Sequence, residues 1–251
     1  MKLSEFLYVA NWKMQLSFKE SISFCWNHKD DLEVLSAKEN VHIVLCPSFD
    51  ALHLISQVFV NSELSVGAQS CSAHEFGPYT GEVSARSISQ IGCEFCIIGH
   101  SERRKLFGQT DEIVAQKVQQ AIKNNLYPII CVGETKQQHD EGQAKEIIKK
   151  QISFVCEAIK KTSHKATVCF AYEPVWAIGS GIVPENNQIE EVLGQIQAVS
   201  EQIVPDASVA FLYGGSVNGQ NAQKLREISG LGGFLIGGAS LDFQKFEKIV
   251  T

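Results

Sequence analysis

The residues with the clearest chemical potential lie in the segment 171–181, where an apolar run ends in one carboxylate, Glu173. A proline, a tryptophan and a glycine-rich stretch follow it directly. A single acid at the end of a strand, beside a segment able to cover it, suits a general base that abstracts a proton where water is excluded. A structural ion-pair acid is the alternative interpretation of Glu173.

Two further groups stand at the ends of other apolar runs. His100 precedes a helix expected to begin at Ser101, and the positive end of that helix disfavours a charged imidazole. A neutral imidazole can donate a hydrogen bond to a substrate carbonyl oxygen. Lys13 closes the first run together with Asn11. A satisfied buried histidine and a solvated surface lysine are the corresponding alternatives.

Two glycine-rich turns form a second set of candidates, Gly214-Gly215-Ser216 and Gly237-Gly238. Glycine allows backbone N–H groups to approach phosphate oxygens closely, and a helix N-terminus adds a favourable potential. Each turn alone is equally consistent with a tight connection that needs unusual dihedral angles. Two such turns after the last two strands favour a phosphate site.

Eight short apolar runs, rich in β-branched residues, predict the strands that position these groups. Several runs are nearly continuous, as expected for parallel strands buried on both faces, and helical patterns separate most of them. The runs are Leu7–Ala10, Val41–Cys46, Leu64–Ala68, Phe95–Gly99, Tyr127–Val132, Thr167–Tyr172, Ser208–Tyr213 and Phe234–Ile236. Their number and the polar motifs after nearly every run favour an α/β fold, a single (β/α)8 barrel domain over residues 1–251, rather than an open doubly wound sheet.

Local signals add detail to this architecture. Ser17 and Glu20 predict a capping box at the first helix, and Asn218 is expected to cap the helix that contains Leu225.

The pair Cys93 and Cys96 has redox or zinc spacing, but it leads into a strand and no second pair completes a metal set. We therefore expect ordinary core cysteines.

Composition narrows the possible partners. The chain has 251 residues, is 44% hydrophobic and carries a net charge of −6, which argues against a general nucleic-acid or anionic-membrane surface. Eight cysteines without a disulfide-like framework favour reduced thiols. The apolar run Phe6–Ala10 is too short for a signal peptide, and no run reaches the length of a membrane span. We expect a soluble cytoplasmic protein.

Five motifs, taken in order and spacing, resemble those of the triosephosphate isomerase family over essentially the whole chain. They are Asn11–Met14, Ile97–Arg104, Ala171–Gly181, Tyr213–Ser216 and Gly233–Leu241. The resemblance implies a TIM barrel and the interconversion of dihydroxyacetone phosphate and D-glyceraldehyde 3-phosphate, a step of glycolysis and gluconeogenesis. Rival interpretations are another phosphate-binding barrel enzyme and a non-catalytic scaffold that retained the fold.

The resemblance also implies a role for each matching residue. Glu173 would remove a carbon-bound proton and return it to the adjacent carbon through an enediolate. His100 would polarise the carbonyl, Lys13 and Asn11 would bind substrate and stabilise developing negative charge, and Glu102 would be an acid near Lys13.

The resemblance also implies which residues bind the phosphate of the substrate and which segment covers the site. It implies that neither a metal nor an organic cofactor is required. The phosphate would be held by backbone N–H groups of Gly179, Ser216, Gly237 and Gly238. The lid would consist of Pro174, Val175, Trp176, Ala177, Ile178, Gly179, Ser180 and Gly181, with Ile178 pressing apolar surface towards Glu173.

The resemblance further implies a homodimer. The segment Gln69–Glu82 resembles a long loop that inserts beside the partner's active site, where Thr80 would reach the region of Asn11 and Lys13. The chain departs from common family residues at Pro78-Tyr79, Gln109, Ile182, Gln197 and Gly232. None of these positions is assigned to the chemistry.

Overall fold

The computed structural model describes residues 5–178 and 183–251, and the strands in these ranges close into a barrel. Consecutive strands pair in parallel, and β1 also pairs with β8 to complete the closure. The strands are β1 Phe6–Asn11, β2 Val41–Cys46, β3 Ser65–Ala68, β4 Phe95–Ile98, β5 Tyr127–Val132, β6 Thr167–Tyr172, β7 Ser208–Tyr213 and β8 Gly233–Ile236. The predicted (β/α)8 architecture is confirmed.

Helices connect the strands and cover the outside of the barrel. Their apolar faces pack on the strands, as amphipathic helices around a parallel sheet do. In the described ranges they are α1 Phe18–Asn27, α2 Lys29–Ser36, α3 Phe49–Val58, α4 Ala85–Gln90, α5 Ser101–Phe107, α6 Asp111–Lys123, α7 Lys136–Asp140, α8 Ala144–Thr162, α9 Asn186–Ile203, α10 Ala222–Arg226 and α11 Phe243–Val250. A short 3₁₀ helix, Gly238–Leu241, follows β8.

Alternate strand residues form two apolar layers, which explains why the strand sequences are almost continuously apolar. One layer fills the barrel and includes Val9, Phe95 and Leu212. The other lies between the strands and the helices and includes Tyr8 and Phe170. Both faces of every strand are therefore buried, and the polar residues that follow the strands emerge together at one rim.

The two expected helix caps have different outcomes. At α1, the Ser17 side chain accepts from the Glu20 backbone N–H and Glu20 reaches back to Ser17, so the capping box is confirmed. The prediction for Asn218 is wrong, since α10 begins at Ala222 and its N-cap position is Asn221. Asn218 Oδ1 instead accepts from the backbone N–H groups of Gln220 and Asn221, because a short asparagine side chain readily organises the turn before a helix.

The eight cysteines are buried and free. Burial raises the pKa of Cys25, Cys156 and Cys169 to about 12, so these thiols stay protonated at neutral pH. Across residues 5–178 and 183–251, no helix has the length and apolar character needed to cross a membrane.

Candidate active site

A cavity of about 440 Å³ opens at the carboxyl ends of the strands. It brings together residues from β1, β4, β6, β7 and β8 that are far apart in the sequence. Its lining includes Asn11, Lys13, His100, Glu173, Ile178, Gly214, Gly215, Ser216, Gly237 and Gly238. The rim of the barrel thus gathers an acid, an imidazole, an ammonium group and both glycine-rich turns around one space.

Glu173 follows β6 directly and is only 2% exposed. One carboxylate oxygen accepts a hydrogen bond from the Ser101 backbone N–H at 2.9 Å, and the other lies 3.0 Å from His100 Nε2. The Cys131 thiol lies beside this carboxylate, and burial, followed by the charge of Glu173, raises the pKa of Cys131 well above its usual value. The neighbouring thiol therefore remains neutral. The carboxylate of Glu173 and the imidazole of His100 are in direct contact.

His100 occupies the N-cap position of α5, which fixes the ring. Its Nδ1 accepts a hydrogen bond from the Glu102 backbone N–H at 3.3 Å. A ring nitrogen that accepts a hydrogen bond carries no proton, so the proton of the neutral imidazole lies on Nε2, which faces Glu173 and the cavity. This tautomer can donate a hydrogen bond to an oxygen in the cavity.

Lys13 has a backbone conformation that is unusual for a lysine, with φ at 54°. A residue other than glycine in this region costs of order 1–3 kcal/mol, and such strain is concentrated at functional sites. Its N–H donates to Asn11 Oδ1 at 3.1 Å, and Gln69 Nε2 donates to its carbonyl oxygen at 2.6 Å. The side chain extends to Glu102, where Nζ lies 2.7 Å from Oε1.

The two glycine turns form part of the wall of the cavity. A Cβ at Gly214 would lie 3.0 Å from Glu173 Cγ, which is a tight contact. Because glycine has no Cβ, the turn after β7 can pack directly against Glu173. Ser216 Oγ donates to the Ala177 carbonyl at 3.1 Å and ties this turn to the segment after Glu173. Gly238 begins the 3₁₀ helix after β8, next to Gly237.

The segment after Glu173 is described as far as Ile178, which lines the cavity. Gly179, Ser180, Gly181 and Ile182 lie outside the described residues, so the expectations for them stay predictions. Trp176 Nε1 donates to Glu134 Oε1 at 2.7 Å, and the Tyr172 hydroxyl donates to the same oxygen at 3.2 Å. Burial, followed by the charge of Glu134, raises the pKa of Tyr172, which keeps that hydroxyl a donor.

Gln109, where the family often has glutamate, is buried between two cations. In the amide orientation that satisfies both of its ends, its oxygen accepts from Arg103 Nε at 2.7 Å and from Lys117 Nζ at 2.8 Å. Burial, with the positive charge of Arg103 as a smaller contribution of the same sign, lowers the pKa of Lys117. A neutral amide thus occupies a position to which two positive groups point.

Three contributors to the site were not assigned a role from the sequence. The Ser101 backbone N–H binds Glu173, Gln69 supports the strained backbone of Lys13, and buried Glu134 binds the indole of Trp176. Glu134 could have been singled out, since it is a carboxylate at the end of β5 beside other strand-end motifs. The contact of Ser101 could not have been found in this way, because a backbone N–H rather than a side chain makes it.

The fold and this rim define the chain as a (β/α)8 enzyme with its site at the carboxyl ends of the strands. A triosephosphate isomerase family model matches residues 6–251. The triosephosphate isomerase of Wolbachia sp. subsp. Brugia malayi is 39% identical over 245 residues, covering 98% of this chain and 96% of the relative. That of Nitrosococcus oceani is 38% identical over 247 residues, 97% and 96% of the two chains. That of Aquifex aeolicus is 35% identical over 246 residues, 97% and 98%.

The chain therefore belongs to the triosephosphate isomerase family, and it is an enzyme of the isomerase class. The resemblance inferred from the five motifs is confirmed at the level of the family.

Proposed function

We propose that this protein interconverts dihydroxyacetone phosphate and D-glyceraldehyde 3-phosphate by proton transfer through an enediolate, and so acts in glycolysis and gluconeogenesis. The observation that carries the proposal is the direct approach of Glu173 to His100, 3.0 Å apart, in a cavity that also contains Lys13 and both glycine turns. Membership of the family supplies the substrate class.

Glu173 is the base in this proposal. Its carboxylate is held by the Ser101 N–H in the structure, so it must turn away from that donor to reach a carbon-bound proton. It takes the proton from one carbon of the substrate and returns it to the neighbouring carbon. Burial at 2% exposure keeps water from competing for this proton.

His100 acts on the oxygens of the same two carbons. Its Nε2–H, fixed by the hydrogen bond that Nδ1 accepts from Glu102, donates to the carbonyl oxygen and polarises it. As the enediolate forms, the ring can shuttle a proton between the two oxygens. A donor aimed at developing negative charge lowers the barrier more than it tightens ground-state binding.

Lys13 and Asn11 bind substrate and stabilise its negative charge. Lys13 lines the cavity, and its strained backbone is held by Asn11 and Gln69. Its ammonium group pairs with Glu102, which lines the neighbouring recess. Backbone N–H groups of Ser216, Gly237 and Gly238 are proposed to bind the phosphate. The same role for Gly179 and the covering role of 174–181 come from the family resemblance.

The function is tested by direct assay of purified protein with either triose phosphate, in the presence of a metal chelator. We expect isomerisation in both directions, since each step uses side chains and backbone groups of this chain. A mixture of the two triose phosphates should reach the same equilibrium ratio from either side. Failure to convert either substrate, in protein that is folded by circular dichroism, would overturn the proposal.

We also propose that the protein is cytoplasmic and that it forms a homodimer. The surface beside the active site supports the dimer. A recess of about 280 Å³ lies beside the active-site cavity, and its lining includes Lys13, Met14, Phe49 and Phe107. Met14 is 93% exposed and Phe107 66% exposed in the single chain. These apolar surfaces are suited to burial by a partner.

The loop of one subunit is proposed to fill the recess of its partner. Phe76 in this loop is 82% exposed and Tyr79 is 41% exposed, and the exposed Thr80 follows them. Thr80 would then contact the partner near Asn11 and Lys13, which would make each active site dependent on dimerisation.

The dimer is tested by sedimentation at micromolar concentration. We expect a species of twice the 27.7 kDa chain mass, and we expect Thr80→Arg to shift the population towards monomer because a long cation cannot enter the recess beside Lys13. Thr251→Arg, the same change at the exposed C-terminal residue, is the control and should stay dimeric. A wild-type monomer, or a Thr80→Arg variant as dimeric as the control, would contradict the loop assignment.

A further inference from the structure

Arg104 lies in α5, one helical turn after His100, and its guanidinium folds back over the end of β4. Its Nε donates to the Gly99 carbonyl at 2.8 Å, and its Nη1 donates to Asp111 Oδ1 at 2.6 Å. A Cβ at Gly99 would lie 3.2 Å from Nη2, so the guanidinium lies directly against Gly99. Asp111 is the first residue of α6, and the guanidinium therefore joins the two helices that follow β4 to the end of that strand.

The same guanidinium also reaches the neighbouring strand. Nη2 of Arg104 contacts the Cys131 carbonyl oxygen at the longer distance of 3.4 Å. Ile98 pairs with Ile130 at the end of the β4–β5 register. Gly99 and Cys131 follow these two residues, so the guanidinium spans the ends of both strands. Only one of its three contacts goes to a carboxylate, and the planar fork of an arginine is suited to binding several acceptors at once.

Arg104 contacts both peptide groups that flank His100. Its side chain binds the Gly99 carbonyl, which belongs to the peptide group before His100. Its backbone N–H donates to the His100 carbonyl at 3.1 Å, in the peptide group after it. Because a peptide group is planar, these contacts constrain both planes and with them the direction of the His100 Cα–Cβ bond. The hydrogen bond that Nδ1 accepts from the Glu102 N–H then sets the ring about that bond.

His100 is held in the orientation that the proposed reaction uses. Its Nε2 faces the cavity and lies 3.0 Å from a Glu173 carboxylate oxygen. When Glu173 leaves the Ser101 N–H and turns to the substrate, the Nε2–H becomes available to an oxygen in the cavity. The contacts that constrain His100 can therefore remain in place during the reaction.

We propose that Arg104 is a positioning residue for His100, acting through the two peptide groups that flank it. The proposal rests on the proposed function, in which His100 donates to the carbonyl oxygen of the substrate. Displacement of a reacting group by about 1 Å costs on the order of 100-fold in rate, because stabilisation of a developing oxyanion depends on the position of the donor. Loss of the carbonyl contacts of Arg104 therefore acts on the chemical step.

The kinetic test changes the geometry and the charge of the Arg104–Asp111 pair separately. Arg104→Lys keeps the positive charge, but an ammonium group has no planar fork to bind Asp111 and the Gly99 carbonyl together. We expect it to lower kcat by about 10- to 100-fold with KM nearly unchanged. Asp111→Asn removes the negative charge but keeps an oxygen that can accept from Nη1, so kcat should stay near the wild-type value. A role in the ion pair alone predicts a loss in both variants.

The matched control is Arg226→Lys. Arg226 Nη1 donates to the Tyr8 hydroxyl and to the Val250 carbonyl, each at 3.2 Å. The control removes a guanidinium that also binds a backbone carbonyl, at a place where it does not contact His100. It should leave kcat at the wild-type value, whatever its effect on Tm.

An NMR test reads the environment of His100 without relying on catalysis. The chain has seven histidines, and in protein with ¹⁵N-labelled histidine the imidazole signals of His100 are those absent from His100→Gln. We expect Arg104→Lys to shift or broaden the Nδ1 and Nε2 signals of His100, although the charge at position 104 is kept. Asp111→Asn and Arg226→Lys should leave the His100 signals unchanged. A structural role for Arg104 would lower Tm without acting on this imidazole.

A double variant repeats the test without an unpaired charge. Arg104→Gln combined with Asp111→Asn removes both charges of a largely buried pair, which guards against misfolding caused by one charge left alone. A single amide cannot make the three contacts of the guanidinium. The double variant should therefore lower kcat and shift the His100 signals as Arg104→Lys does.

The outcomes separate this proposal from the proposed function. A wild-type protein without isomerase activity overturns the function, and the His100 signals still decide whether Arg104 positions the ring. Wild-type kcat and wild-type His100 signals in Arg104→Lys or in the double variant overturn the proposal. It is also overturned if kcat falls while the His100 signals are unchanged, or if Asp111→Asn lowers kcat as much as Arg104→Lys.

Discussion

Glu173→Gln is expected to lower kcat by about 100- to 10,000-fold, the usual contribution of a general base, and to leave the fold intact. An amide cannot accept the carbon-bound proton at any accessible pH. Its carbonyl oxygen can still accept the Ser101 N–H, which the carboxylate binds at 2.9 Å, so this backbone donor keeps its partner. The measurement is kcat in both directions, together with the thermal unfolding midpoint.

The control for this variant is Glu157→Gln, the same chemical change on the exposed face of α8. It should leave kcat and Tm at their wild-type values. If Glu173→Gln retains a kcat near that of Glu157→Gln, Glu173 is not the base. If Glu173→Gln instead has a Tm well below that of Glu157→Gln, the loss of activity follows from damage to the fold.

The architecture was predictable because one physical pattern repeats around the barrel. Every strand is buried on both faces, so each appears in the sequence as a short apolar run, and the predicted starts and ends lie within a residue or so of the observed ones. Glu173 and His100 were predictable as neighbours for a related reason. Parallel strands end at the same rim, whatever the distance between them along the chain.

What escaped prediction depends on backbone groups and on side chains that meet only in three dimensions. The N–H that binds Glu173 belongs to Ser101, 72 residues away, and a backbone donor looks the same at every position of a sequence. The left-handed backbone of Lys13 could not be predicted either, since a lysine gives no indication that its φ is 54°. The error at Asn218 is local: an asparagine can order a turn or cap a helix, and only the path of the chain decides which.

Gly133→Ala is expected to destabilise the protein by at least about 3 kcal/mol and to impair catalysis, although no reacting group is changed. Gly133 follows β5 directly. A Cβ at this position would lie 1.8 Å from the Glu173 carbonyl oxygen and 2.7 Å from its carbonyl carbon. These are backbone atoms, so no change of rotamer can relieve the overlap.

The surroundings also prevent the two strand ends from moving apart freely. Gln151 of α8 binds the Gly133 peptide on both sides, at 2.9 Å to its N–H and 3.1 Å to its carbonyl, and the Glu173 N–H donates to Val132 at 2.8 Å. Relief of the overlap must break some of these bonds or displace Glu173. We therefore expect Tm to fall by about 6 to 12 °C, the shift that such a loss of stability produces in a domain of this size.

The matched control is Gly194→Ala, which makes the same change in the middle of α9. A Cβ there would meet nothing within 4 Å, and alanine should stabilise the helix by roughly 0.5–1 kcal/mol. The pair separates two effects of removing a glycine, since both variants lose the same backbone freedom and only Gly133→Ala meets the backbone of Glu173. A Gly133→Ala protein with the Tm and kcat of the wild type would show that the ends of β5 and β6 can separate without cost. The close approach of these two strands would then not be what holds Glu173 in place.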